Sequence, residues 1–356
     1  MSHDVKGRVA AVALALLMTA AAGGCGTTAK SAELPSSRAA LVKQATQEGE
    51  VEWASWNPEA QMQPAIELFE EKYPGIKVKY TNVKAPDQVS RIRLEQAAKK
   101  VSIDVGNAGG LTMSPAVDLA GDVDWTKYGI AQENVFAKNF VYVWATPKVW
   151  AYNTDKVKPA DVPRSWDDLL DSRWSGGEIS AESRASFMSV WDLDDSMGEK
   201  RALAWAKKFG ALKPHYSPNV TQAEAPIETG EVSIGTSLAS LVLAAQDKGA
   251  PVAVAPVSPT SASESYLYVP KGAPHPAAGA LLTTFLSSDA AQKLLAKSYN
   301  SRIPVNTDCS NSRDTAVLQA MCKAGLKWYG TTTLQKYNTL SEFYPKVEKE
   351  FGTDVG

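Results

Sequence analysis

Four short stretches of this chain carry side chains suited to holding a small polar molecule. They are Ser55-Trp56-Asn57, Gly106-Asn107-Ala108, Ser183-Arg184-Ala185-Ser186 and Thr236-Ser237. Each sits where a strand-like pattern gives way to a helix-like one. Helix starts offer free N–H groups and the positive end of the dipole, which favour oxygen-rich ligands. For Ser55, Asn57, Asn107, Ser183, Ser186, Thr236 and Ser237 the competing reading is a helix cap. Arg184 is different, because a cation at a helix start opposes the dipole. A guanidinium there is better explained by an anion, which it pairs through two parallel hydrogen bonds. The competing reading is a surface ion pair with Glu182 or Asp192. Trp56 and Tyr266 are candidate aromatic walls, set against ordinary core packing. Ser258 and, more weakly, Ser263 lie where the chain is expected to re-enter its first domain.

Other chemistries are thinly represented. The chain has no Gly-x-Ser-x-Gly elbow and no His-Glu-x-x-His, so a secreted hydrolase is the weaker alternative class. Formal net charge is -2, which gives no pull toward nucleic acid. Hydrophobic residues make up 44 % and charged residues 21 %, as in an ordinary globular protein. Cys309 and Cys322 are close in sequence, and a disulfide is the default for such a pair outside the cytoplasm. A metal site there lacks partners, since His215 and His275 are distant in sequence. No cofactor is expected.

The elements that must position these residues follow from periodicity. A short helix is expected over Leu41–Gln47 and an alternating strand over Val51–Ser55. A helix then runs through Ile66 and Phe69 to Pro74-Gly75, and Pro64 is tolerable in it if it falls in the first turn. Ile76–Tyr80 reads as a strand, Gln88–Lys100 as a helix and Ser102–Val105 as a third strand. A second series follows Asn153, with a strand at Gly177–Ala181 and a helix opened by Glu182–Phe187. Helices over Ala202–Phe209 and Ala223–Glu228 come next. The strand Val232–Gly235 leads to a helix opened by Thr236-Ser237. Strands are expected at Val252–Val257 and Ser265–Val269, and helices near 276–297, 314–324 and 340–350. Alternating strands and helices imply parallel sheets with right-handed crossovers. In such sheets, ligands bind at the carboxyl ends of the strands.

The N-terminus has the layout of an export signal. Asp4, Lys6 and Arg8 precede the apolar run Val9–Met18, and small residues lead to Ala22-Gly23-Gly24-Cys25. The apolar run is too short to span a bilayer. The segment resembles a bacterial lipobox, which implies that residues 1–24 are removed and Cys25 carries lipid. Removing them leaves ~330 residues, enough for two domains. Residues 25–36 read as the lipidated Cys and a flexible tether.

Six stretches, in their order, carry a resemblance to a known family: IELFEEKYPGIKVKY, DVGNAGG, VWAYNTDKVKPADVPRSWDDLLDSRW, IETGEVSIGTS, GAPVAVAPV and GAPHPAAGALLTTFLSSDAAQKLLA. Together they resemble the extracellular solute-binding proteins of ABC importers, in the branch that holds ferric-iron, polyamine, thiamine and phosphonate binders. The resemblance implies the two-domain periplasmic-binding-protein type II α/β fold with a hinged central cleft. Domain 1 is expected over residues 37–145 plus 255–305, and domain 2 over 146–254 plus 306–352. The implied role is capture of a small anionic organic solute and delivery to a membrane permease and its ATPase. A monomer is expected, extracytoplasmic and held at the membrane by lipid alone. The alternative ligand is ferric iron or a metal chelate, with Tyr216, Tyr266 and His275 as ligands. Ferric-iron binders of the family carry adjacent tyrosines after the strand that matches Glu231–Gly235. Here Glu231–Ser240 contains no Tyr, which favours an organic or oxyanion ligand.

Overall fold

The computed structural model describes residues 34–300, 302–310 and 315–353. The export-signal and lipidation readings fall on residues outside these. The first series runs α1 (Arg38–Glu48), β1 (Glu50–Ser55), α2 (Glu59–Lys72), β2 (Lys77–Asn82), α3 (Ala85–Ala97) and β3 (Gly106–Ala108). Ser37 caps α1 by accepting from the Ala40 N–H at 3.3 Å, and Gly49 ends it in the left-handed conformation at φ 77°. Pro64 is the sixth residue of α2, not part of its first turn. The third strand also differs from expectation. Ser102 and Ile103 are not strand, and the ladder comprises Gly106–Ala108, where Asn107 pairs with Leu267.

The chain continues through α4 (Met113–Val117), β4 (Val135–Phe136) and β5 (Phe140–Asn153). Then come β6 (Ile179–Glu182), α5 (Val190–Leu193), α6 (Glu199–Ala211), β7 (His215–Ser217), α7 (Val220–Glu228), β8 (Ile234–Leu238), α8 (Ala239–Asp247) and β9 (Val252–Ala255). The last elements are β10 (Thr260–Tyr268), α9 (Pro276–Leu286), α10 (Asp289–Lys297), α11 (Ala316–Lys323), β11 (Trp328–Tyr329) and α12 (Leu334–Phe351). Two expected helix starts are absent. Thr236 and Ser237 lie inside β8, and α8 begins at Ala239. After β6 comes a 3-10 helix, Ala185–Ser189, rather than an α-helix. The expected helix near 276–297 is two helices, broken at Ser287 and Ser288.

β5 organises the molecule. Its first half, Val141–Pro147, pairs antiparallel with β10, and its second half, Lys148–Asn153, pairs with β8 and β9. β3 joins the far side of β10, and the parallel pair β1–β2 meets β3 through the bridge Trp53↔Val105. β6 pairs parallel with β7 and β8. Apolar burial follows this division. One core packs Trp53, Phe69, Trp125, Val143 and the wholly buried run Ala277–Leu286. A second packs Trp150, Trp166, Trp191, Trp205, Phe209 and Phe343. The apolar positions of α6, Ala202, Trp205, Ala206 and Phe209, recur at one helical face and fill that second core. A third cluster, with Tyr142, Tyr266, Trp328 and Tyr337, lies along the β5–β10 pairing. Cys309 and Cys322 form a disulfide.

Candidate functional site

The strand ends converge where β5 passes from β10 to β8. On one side, Gly109 follows β3 and lies against the Glu264 carbonyl of β10. A Cβ on Gly109 would sit 2.1 Å from that oxygen and 3.7 Å from the Trp56 ring. On the other side, Lys148 of β5 donates to the Ser186 carbonyl at 2.8 Å, beyond the end of β6. Lys148 also lies within Coulomb reach of Glu182 and Glu264. These residues therefore link the two halves of the fold at one place.

The candidate side chains sort by whether their polar groups are already used. Asn57 takes its own N–H to the Ser55 hydroxyl at 3.3 Å and donates its amide to Asn300 at 3.2 Å. Asn107 accepts from Trp53 Nε1 and donates to the Ser265 hydroxyl, both at 3.0 Å. The Thr236 hydroxyl accepts from the Glu182 N–H at 2.9 Å, and Ser237 donates to the Leu238 carbonyl at 3.2 Å. Ser258 accepts from the Lys327 N–H at 3.0 Å. Ser186 donates to Glu182 Oε2 at 2.7 Å. Tyr266 is buried against Phe136 and Tyr142, with ring centroids 5.0 and 5.5 Å apart. These groups hold the strand ends in place.

Three candidates keep free functional groups. Ser183 is half-buried and its hydroxyl has no partner among the described residues. Arg184 is exposed, and its guanidinium makes no hydrogen bond or ion pair there. Nine of the ten Trp are buried in cores, and Trp56 alone is half-buried. Ser55, Trp56, Asn57, Asn107 and Gly109 cluster on one side, and Ser183, Arg184, Ser186, Thr236 and Ser237 on the other.

The electrostatics around Arg184 differ from the sequence argument. It precedes a five-residue 3-10 helix, so no long helix dipole opposes it. The first amide of that helix, Ala185 N–H, already donates to Glu348 Oε1 of α12 at 3.0 Å. Glu182 is half-buried, and burial raises its carboxyl above the usual range. Ser186, Lys148 and Arg184 pull it back, while Glu348 adds to the rise. Glu264 is pushed up to about 7 by burial, against the Thr331 N–H and Lys148. Burial also lowers the Lys148 ammonium, opposed by Glu182 and Glu264.

The sequence pattern does not single out Lys148, Glu264 or Glu348, and it presents Glu182 only as an ion-pair partner for Arg184. A signal existed for one of them: Lys148 is the lone charge in the run Phe140–Tyr152. Glu348 lies on a helix far along the chain, and no local pattern announces its approach to Ala185.

Residues 65–321 match the model of the bacterial extracellular solute-binding protein family. The chain belongs to this family. It is 31 % identical over 97 residues to the Fe(3+)-binding periplasmic protein of Serratia marcescens, a match that covers 27 % of this chain and 28 % of that protein. The fold is similar to the substrate-binding protein of an ABC transporter from Agrobacterium tumefaciens. The TM-score is 0.71 at 17 % identity, covering 85 % of this chain and 94 % of the other. It is also similar to iron-bound HitA from Pseudomonas aeruginosa, with TM-score 0.66, 20 % identity and coverage of 85 % and 99 %. The fold is therefore the two-domain α/β fold of periplasmic binding proteins. Members of this family are extracellular solute-binding proteins. Among the described residues, no helix is long and apolar enough to cross a membrane.

Proposed function

We propose that this solute-binding protein is the capture component of an ABC importer, tethered through lipid on Cys25. It takes a small organic solute bearing a carboxylate or phosphonate-type group into the interdomain cleft and hands it to the permease and its ATPase. The guanidinium of Arg184, unpaired among the described residues, carries this reading. It stands just past the end of β6 beside the Ser183 hydroxyl, which has no partner among the described residues, next to groups such as Ser186 and Thr236 that are already satisfied. A guanidinium matches a carboxylate or phosphonate in geometry and charge. Trp56 supplies a wall on the opposite domain. Closure of the two domains by a hinge at β5 and β10 would then enclose the solute.

The division into residues 37–145 plus 255–305 and 146–254 plus 306–352 is supported by the separate cores. Ala255 and Val257 pack in the second core, which favours a return a few residues later, near Thr260.

The names of the Serratia and Pseudomonas relatives favour a second reading, ferric iron. The side chains proposed for it are dispersed. Tyr266 is in the core beside Glu264, Tyr216 packs on Phe351 with ring centroids 5.7 Å apart, and His275 Nδ1 is held by Asp104 Oδ2 at 2.9 Å. Purified protein is expected to release a small organic acid on denaturation, detected by mass spectrometry, and to stay colourless with ferric citrate. Tight retention of iron with a visible charge-transfer band would reverse the choice of ligand.

A further inference from the structure

Arg184 does not stand alone at the end of β6. Glu182 is two residues before it, and one of its carboxylate oxygens is uncommitted. Oε2 accepts from the Ser186 hydroxyl at 2.7 Å, whereas Oε1 accepts nothing among the described residues. Oε1 is also not sealed from solvent, since the buried oxygens without partners include Glu224 Oε1 and Asp192 Oδ2 but neither oxygen of Glu182. The Lys148 ammonium, close by, uses one donor on the Ser186 carbonyl. The junction thus holds an open acceptor beside open donors.

Its charge is also close to balanced before any solute arrives. Two cations, Lys148 and Arg184, act on Glu182, and Glu348 is a second carboxylate within reach of it. Glu264 adds partial negative charge beyond Lys148. A dianion enclosed here would leave excess negative charge in a site shielded from water, which is strongly disfavoured. A solute with separated opposite charges leaves the balance intact. Resting on the anion-capture reading above, we infer that the solute is a zwitterion: its carboxylate meets Arg184, and its protonated amine meets Glu182 Oε1. Glu182 is then a specificity-determining residue that selects amino acids over simple acids and dicarboxylates. Burial already raises its carboxyl, so an ammonium ion replaces the stabilisation that water no longer gives.

The test is calorimetric titration with three matched sets of compounds. These are α- and ω-amino acids of two to six carbons, the corresponding acids without the amine, and dicarboxylates of equal length. Wild-type protein is expected to prefer one amino acid over its deaminated partner by at least ~10-fold, equivalent to ~1.4 kcal/mol. Glu182→Gln keeps an acceptor for Ser186 and removes the charge. It is expected to abolish that preference, weakening the amino acid at least ~10-fold and leaving the simple acid unchanged or tighter. Melting of the unliganded variant checks that it folds, and the wild-type comparison among ligands stands without any variant. A wild-type protein that binds a dicarboxylate or simple acid at least as tightly overturns the zwitterion and leaves anion capture standing. So does a Glu182→Gln protein that keeps its preference. Binding of none of the three sets overturns the amino-acid zwitterion and leaves anion capture standing, whereas binding unaffected by Arg184→Ala overturns both.

Discussion

Gly109 shows how closely the junction is built. Its backbone runs against the Glu264 carbonyl, and a Cβ would come within 2.1 Å of that oxygen. That oxygen is backbone, not a flexible side-chain end, so β10 and the segment after β3 would have to part. Gly109→Ala is expected to cost about 3 kcal/mol and to weaken solute binding by forcing the segment after β3 away from Glu264, as read from thermal melts and titration. Glu224 offers a test of pH. It is 2 % exposed, its Oε1 lacks a partner among the described residues, and burial pushes its carboxyl up to about 8, with Glu228 adding to the rise. A group held above its ordinary value of 4.5 favours the folded state when protonated. That contribution is complete below about pH 4.5, is lost as pH rises toward 8, and stays lost above. Melting of Glu224→Gln should match wild type near pH 5 and exceed it by a few degrees near pH 8.5. A constant offset across that range would show that Glu224 is not the group responsible. The polar candidates on the Ser55 side spend their groups within the protein, Ser55 and Asn57 partly on each other and Asn107 on Trp53 and Ser265. Sequence alone could not separate caps from contacts, because Ser, Thr and Asn serve both and the deciding neighbours, such as Asn300 and Ser265, come from distant segments.

At the scale of elements, strong periodicity was easily read. The strand of β1 and the amphipathic helices α2 and α6 appear within a few residues of their expected ranges. The misplacements have a common cause. Gly106-Asn107-Ala108 has little strand propensity, yet it becomes β3 because the ladder with Tyr266–Tyr268 provides its partners. Thr236 and Ser237 remain strand because β5 continues to pair with β8 as far as Leu238. The start of α12 was missed by six residues, although Thr333 caps it by accepting from Lys336 N–H at 3.2 Å. That first turn matters, because Tyr337 packs on Phe136 at 5.7 Å and Asn338 accepts from Ser114 at 2.6 Å. The Cys309–Cys322 bridge closes a loop of 13 residues ahead of α12. Replacing both Cys with Ser is expected to lower stability by about 3 kcal/mol through added freedom of the unfolded chain. Thiol titration of denatured, unreduced protein should find neither Cys reactive, and two free thiols would contradict the bridge.

At the scale of the whole molecule, the two-domain fold was legible because βα alternation and the order of motifs agree with each other. The proposed hinge is only half legible in the sequence. β5 begins at Phe140 and is continuous through the crossing, so no composition break marks where one domain ends. Membrane attachment rests on residues outside those described. Cys25→Ser is expected to move the protein from the membrane fraction to the soluble fraction, and co-sedimentation with an unchanged mass would contradict lipidation. The central claim is that the solute's anionic group is held by Arg184. The direct measurement is titration of the solute extracted from purified protein into wild type and Arg184→Ala, with the unliganded melting point of each. The exposed guanidinium makes no hydrogen bond or ion pair among the described residues and only a through-space attraction to Glu182, so its removal should shift melting by no more than about a degree or two. Loss of a charge-assisted pair in an enclosed cleft should weaken binding at least ~30-fold. Equal affinity in the two proteins, or a drop of several degrees in the unliganded melt, would contradict the account.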